Sequence, residues 1–225
     1  MSLFGRWRFE RERAALAEAA GGSAALAAYA AADWPAEDCP ARAAPFLAVD
    51  FELDGLRRGA HLLQAGWTPF TASAITLADA VSRDIRSDAT LDRTAVTIHG
   101  IGEERASRGD PLGAVTEALV RALAGRVMVA HAAAIERTAL GDAARALFGV
   151  RLPIRAICTL RLEQHLHPGL TDSEAYRLGP ARARYGLPEY AAHDALTDAI
   201  AAAELFQAQL TRLPADIILA RLEAI

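Results

Sequence analysis

The run Phe46-Leu47-Ala48-Val49-Asp50-Phe51 constrains this chain more than any other segment. It is short, almost wholly apolar and ends at a pair of acids. That is the pattern of a strand buried on both faces that delivers polar groups at its carboxyl end. A strand of this kind needs partners and covering layers. His61 to Trp67 and Ser73 to Ile85 read as the next two strands, Arg126 to Ala130 as a fourth and Ile154 to Thr159 as a fifth. Asp110 to Ala124 carries helical spacing through Leu112, Val115, Leu119 and Leu123, with Asp110 as N-cap and Pro111 in the first turn. Further helices are expected over about 134–147, 160–165, 173–185 and 193–213. Strands followed by helices predict an α/β layer architecture with a mixed sheet.

Residues 1–45 differ from this pattern. Phe9 to Ala20 and Ser23 to Ala32 have high helix propensity, broken at Gly21-Gly22, with Ser23 as an N-cap. Pro35, Pro40 and Pro45 then punctuate a linker. The expected organisation is an alanine-rich helical extension over 1–45, a main domain over 46–213 and a short C-terminal helix over 214–225. The extension reads as a helical hairpin packed on the domain. Leu16, Leu26, Tyr29 and Trp34 form only a modest apolar stripe, and the alanine-rich faces would also permit a homodimer or a protein partner.

Composition narrows the function classes. With 24 basic residues, all arginine, against 28 acidic ones, the net charge is −4. That argues against holding nucleic acid by bulk positive charge but not against a local grip through metal ions. Cys39 and Cys158 are far apart and outside any C-x-x-C spacing, which argues against a disulfide framework or structural zinc and predicts a reduced, cytoplasmic protein. Charges from Arg6 to Arg13 interrupt the start, so no signal peptide is expected. The uncharged run from Ala19 to Ala32 is too short and weakly apolar to span a membrane.

The acids carry the chemistry. Asp50 and Glu52 lie two apart on a strand, so both carboxylates share one face. Two acids side by side repel, and a shared cation is a natural reason to place them there; hydrated acids at a strand end are the simpler alternative. Glu136 falls in the first turns of a helix, where the helix dipole favours an acid whether or not it binds anything. Asp198 lies in an apolar helix beginning near His193, and a turn can bring that histidine beside it. A histidine of near-neutral pKa suits proton abstraction from a water.

Three segments now stand in order: a strand with Asp50-x-Glu52, a strand-to-helix passage with His131 and Glu136, and a late His193-x4-Asp198. This order and spacing resembles the three motifs of the DEDDh 3′–5′ exonucleases over roughly residues 46–210, and within that family the segments look closest to the polymerase III epsilon-like proteins. The likeness extends to Gly55-Leu56, to Leu63-Gln64-Ala65-Gly66, to His99-Gly100-Ile101 and to Tyr185-Gly186-Leu187-Pro188. It implies a ribonuclease H-like fold with a five-stranded mixed sheet. It also implies two divalent ions, Mg²⁺ or Mn²⁺, held by Asp50, Glu52, Glu136 and Asp198, with His193 as general base. Leu53, Gly55 and Leu56 would contact the terminal nucleotide, and His131 would stand beside them in an orienting role.

The chain departs from the family pattern in two places. Glu136 stands where the family has Asp, and Ala132 where it has Asn. Glu136 is read as a working substitute, one methylene longer. Asp54 adds a negative charge that either faces solvent or acts against certain substrates. Arg57, Arg58, Arg182 and Arg184 either touch phosphates or face solvent, and His61 and His99 are expected at strand ends. Aromatics make up 6% of the chain, too few for a long stacking platform, so the site should handle only the last few nucleotides. The expected activity is metal-dependent 3′–5′ exonucleolysis of single-stranded DNA. RNA or oligonucleotides are the alternative substrates, and a catalytically weakened module binding strand ends or a partner is the alternative function.

Overall fold

The computed structural model describes residues 3–19, 21–55, 60–89 and 91–225. The chain begins with α1 (Leu3–Ala19) and α2 (Ala24–Ala31), then runs through β1 (Phe46–Leu53), β2 (Leu62–Phe70) and β3 (Val81–Asp84). Two short helices, α3 (Arg93–His99) and α4 (Glu103–Ser107), lead to α5 (Leu112–Leu123), β4 (Val127–Ala130) and α6 (Ala134–Phe148). The remainder is β5 (Ala156–Cys158), α7 (Thr159–Leu166), α8 (Leu178–Arg184), α9 (Ala195–Leu210) and α10 (Leu219–Ala224). The strands form one five-stranded mixed sheet in the order β3-β2-β1-β4-β5. β1 is antiparallel to β2 and parallel to β4, which places it at the centre.

The central strand is buried on both faces, as its composition requires. Leu47, Val49 and Phe51 pack into a core with α2, α5 and α6, while Phe46 and Ala48 pack on the other face against Phe206 of α9 and Leu162 of α7. Because side chains alternate along a strand, Asp50 and Glu52 continue the row of Phe46 and Ala48, toward α9. Ser23 caps α2 as expected, its hydroxyl accepting from the Leu26 amide at 3.3 Å. The two N-terminal helices share the first core through Leu16, Leu26 and Tyr29, and the Tyr29 hydroxyl donates to the Pro153 carbonyl at 2.5 Å. No helix among the described residues is long and apolar enough to cross a membrane.

Three expectations need correction, and two helices were not expected. The third strand covers only Val81–Asp84, because Thr71 and Ala74 close a tight turn, and Leu77–Asp79 form one turn of 3-10 helix before pairing begins. Asp110 does not cap α5. Pro111 holds that position, and the Asp110 carboxylate pairs instead with Arg83 at 3.1 Å. The helices α3 and α4 went unread, being too short to show a periodic pattern. His99 therefore ends a helix, not a strand, and its Nδ1 accepts from the Ile101 amide at 3.1 Å.

Candidate active site

The carboxyl end of β1 and the N-terminus of α9 meet because nothing stands between them at one position of β2. Asp50 lies opposite Gly66 in the β1–β2 register. A Cβ on Gly66 would fall 2.1 Å from the Leu196 nitrogen and 2.2 Å from the Ala195 carbonyl carbon, so only glycine admits the helix so close to the sheet. One step along, Glu52 lies opposite Gln64. Gln64 fastens the helix to the strand: its Oε1 accepts from the Ala195 amide at 2.9 Å, and its Nε2 donates to Asp84 at 3.1 Å. Arg105 grips Asp84 with two hydrogen bonds of 2.7 Å.

Asp194 caps α9, accepting from the Thr197 amide and hydroxyl, both at 3.0 Å. Sequence reading missed Asp194 and Gln64. An Asp-x-x-Thr cap was a legible signal, whereas Gln64 acquires its role only from the strand register. Just upstream, His193 adopts a left-handed φ of 70°, a conformation histidine tolerates better than most residues. That turn lets its amide donate to Asp198 Oδ2 at 2.9 Å, so backbone and acid fix each other. A ligand atom from each of Glu52, His193 and Asp198 lies within 4.8 Å of the others.

The remaining acid arrives from the other side of the sheet's end. Glu136 is buried in the first turn of α6, whose preceding turn holds Ala132 at a φ of 69°. The structure brings the four carboxylates together electrostatically. Burial and then the charges of Glu136, Asp198, Glu52 and Asp194 push the Asp50 carboxyl well above its ordinary range. Burial, with Asp198 and Asp194, raises Glu52 to about 7, and burial raises Glu136 to about 8. Burial also raises Asp198, against hydrogen bonds from the His193 amide and the Tyr190 hydroxyl. Tyr190 in turn lies under the Arg182 guanidinium, 4.9 Å from ring centre to Cζ.

These residues suit a hard divalent cation. The donors are carboxylate oxygens, Glu136 Oε2 and Asp198 Oδ1 are buried with no hydrogen-bond partner, and no arginine pairs with any of the four acids among the described residues. Asp50 and Asp198 open onto a cleft of about 760 Å³, lined also by His131, Leu160, Tyr190 and His193 among others.

The other expected site residues take varied places. Leu53 and Gly55 border a second, largely apolar hollow of about 620 Å³ against α6. Leu56, Arg57 and Arg58 lie outside the described residues. Both ring nitrogens of His131 are engaged, Nδ1 with the Thr159 hydroxyl at 2.9 Å and Nε2 with the Tyr176 carbonyl at 3.0 Å. Burial lowers its pKa to about 4, so it stays neutral and orients the turn before α6. Asp54 is fully buried and does not face solvent; it closes the β1–β2 connection by accepting from the His61 amide at 2.7 Å. Arg182 is likewise buried, paired with Glu204 at 2.6 Å and donating to the Ala201 carbonyl, which withdraws it from phosphate contact. Arg184 is held by the buried Glu163 at 2.9 Å.

Solved structures share this arrangement of elements. The nuclease domain of 3′hExo, a DEDDh family member bound to rAMP, superposes with a TM-score of 0.61 at 12% identity over 75% of this chain and 92% of that one. Exonuclease X in complex with 5′ overhanging duplex DNA gives 0.58 at 21% identity, over 79% and 99% of the two chains. E. coli Exonuclease I in complex with an oligonucleotide gives 0.66 at 15% identity over 80% of this chain, which spans only 42% of that protein. At these identities the likeness establishes the ribonuclease H-like fold alone. No curated protein sequence matches the chain. The exonuclease family model typified by RNase T matches residues 49–206, from β1 and its acids through most of α9. With more than two thirds of its length covered by that match, the chain belongs to the RNase T exonuclease family.

Proposed function

We propose that this protein is a metal-dependent 3′–5′ exonuclease acting on single-stranded ends, with DNA favoured because its motifs resemble those of epsilon-like proteins. The observation that carries this reading is the set of four acids, Glu52 and Glu136 buried and Asp50 and Asp198 half-buried, with Glu52 and Asp198 beside His193 and two carboxylate oxygens of the set without a partner. Asp50, Glu52, Glu136 and Asp198 would hold two Mg²⁺ or Mn²⁺ ions. When bound, such ions offset the charge on the attacking and leaving oxygens of a phosphodiester. The fold's own contribution is placement. Asp198 anchors the His193 backbone, leaving the exposed imidazole to accept the proton of the attacking water at a ring nitrogen. Leu53 and Gly55 border the terminal nucleotide, and His131 holds the turn that carries Glu136. Glu136 serves in place of the family's Asp: its carboxylate is the strongest single charge acting on Asp50.

The test is a gel assay on 5′-labelled single-stranded DNA and its RNA counterpart with Mn²⁺, Mg²⁺ or EDTA. A metal-dependent ladder shortening from the 3′ end is expected. His193→Ala should slow it about 10²–10⁴-fold without unfolding the protein. Folded wild-type protein that cleaves neither strand would overturn the assignment.

A further inference from the structure

The wall of α6 that faces away from the acids carries a charge pattern the catalytic reading does not use. Arg137 and Arg145 stand two helical turns apart, about 12 Å along the axis, with Gly141 between them on the same face. A Cβ at Gly141 would meet nothing within 4 Å, so the surface between the two arginines is open. Arg151, from the loop after α6, joins them in lining a hollow of about 520 Å³. All three are exposed, and none makes an ion pair or side-chain hydrogen bond among the described residues. Four other arginines are ion-paired: Arg8 to Glu12, Arg83 to Asp110, Arg105 to Asp84, Arg155 to Glu223. Once Arg8 and Arg155 are discounted, three unmatched cations face Asp142 alone in that hollow. In a chain of net charge −4, such a concentration is local and sided.

The hollow is also connected. Arg137 lines both it and a second hollow of about 560 Å³ at the edge of β5. That second hollow shares Ala132 and Leu160 with the active cleft. Three neighbouring hollows, with Ala132, Leu160 and Arg137 as their shared walls, therefore run from the carboxylates to Arg145 and Arg151.

We propose that the surface along these hollows carries the phosphodiester backbone of the single strand whose 3′ end lies at the acids, with Arg137, Arg145 and Arg151 as its phosphate contacts. The inference rests on the exonuclease reading for its direction. It explains how an acidic protein retains a polyanion: the cations lie away from the four carboxylates and grip the strand upstream of its end. Contacts of this kind carry no sequence information and set affinity and register only.

The test is fluorescence anisotropy of the full chain in EDTA, where hydrolysis plays no part. The probes are end-labelled single strands of about a dozen and about three nucleotides. The wild type should bind the longer strand more tightly. Arg145→Ala/Arg151→Ala should weaken that binding about tenfold at low salt and leave the short strand unchanged. Two lost contacts should also reduce the logarithmic salt slope by about 1.4. Arg145→Glu/Arg151→Glu should weaken it further. An unchanged affinity and slope for the longer strand would overturn the proposal. So would an equal loss for both lengths, or a wild type indifferent to length. Failure of the catalytic reading shows separately, as absence of metal-dependent cleavage by the wild type.

Discussion

Where the N-terminal linker, β5 and α10 meet, Arg155 and Glu223 are both buried, lie 2.7 Å apart, and the arginine also donates to the Pro35 carbonyl. At the carboxyl end of β1, four carboxylates are gathered with no arginine among them, and two of their oxygens are orphaned. The first arrangement matches a charge with its opposite and ties three segments together, so its residues serve the fold. The second concentrates like charge in a desolvated place, which costs stability until something positive arrives. Backbone strain divides the same way. The two non-glycine residues with positive φ among those described, Ala132 and His193, flank the acids.

Neutralising one acid in each place separates the two arrangements most strongly. Asp50→Asn should reduce hydrolysis at least about 100-fold while raising the metal-free melting temperature, because it removes a repelled charge. Glu223→Gln should do the reverse, lowering stability by about 3–5 kcal/mol with the Arg155 charge left unpaired, and sparing activity per folded molecule. Denaturant melts and rate measurements on the two variants decide it; parallel losses of stability in both would erase the distinction.

A second effect appears in pH. Glu52 and Glu136 titrate near 7 and 8 in the folded chain, raised chiefly by burial. An unfolded glutamate titrates near about 4.3. The folded state therefore holds these protons more tightly. The stability they contribute is fully present below the unfolded value and is lost as pH rises through 7 to 8. Metal-free protein should melt progressively lower across that window, and saturating Mn²⁺ should flatten the decline. Strain should contribute least: Ala132→Gly relieves a left-handed alanine and should add about 1 kcal/mol of stability with hydrolysis retained.

How much the sequence discloses depends on the range of the forces involved. Period-two alternation put Asp50 and Glu52 on one face, and the apolar runs of β1, β4 and β5 announced buried strands because those signals are local. His193 ahead of Asp198 was legible from its position before an apolar helix. Gln64 and Gly66 acquire their roles only from the β1–β2 register and the approach of α9, neither of which has a local signature. Arg182 could be read as a phosphate contact or as a solvated cation, since nothing in its own segment shows Glu204, Pro188 and Tyr190 closing around it. Asp54 could be read as facing solvent or as acting against substrates for the same reason, its partner being the amide of His61, seven residues on.

If the four carboxylates form a divalent-cation site, thermal melting at about pH 8 with increasing Mn²⁺ should reveal it without any substrate. Binding at a hundredfold excess over Kd adds about 2.7 kcal/mol, which for a chain of this size corresponds to a rise of roughly 5–11 °C. A saturable rise of that order is expected in the wild type, much reduced in Asp50→Asn. A melting temperature indifferent to Mn²⁺, or one that rises equally in the variant, would contradict a cation site at these acids.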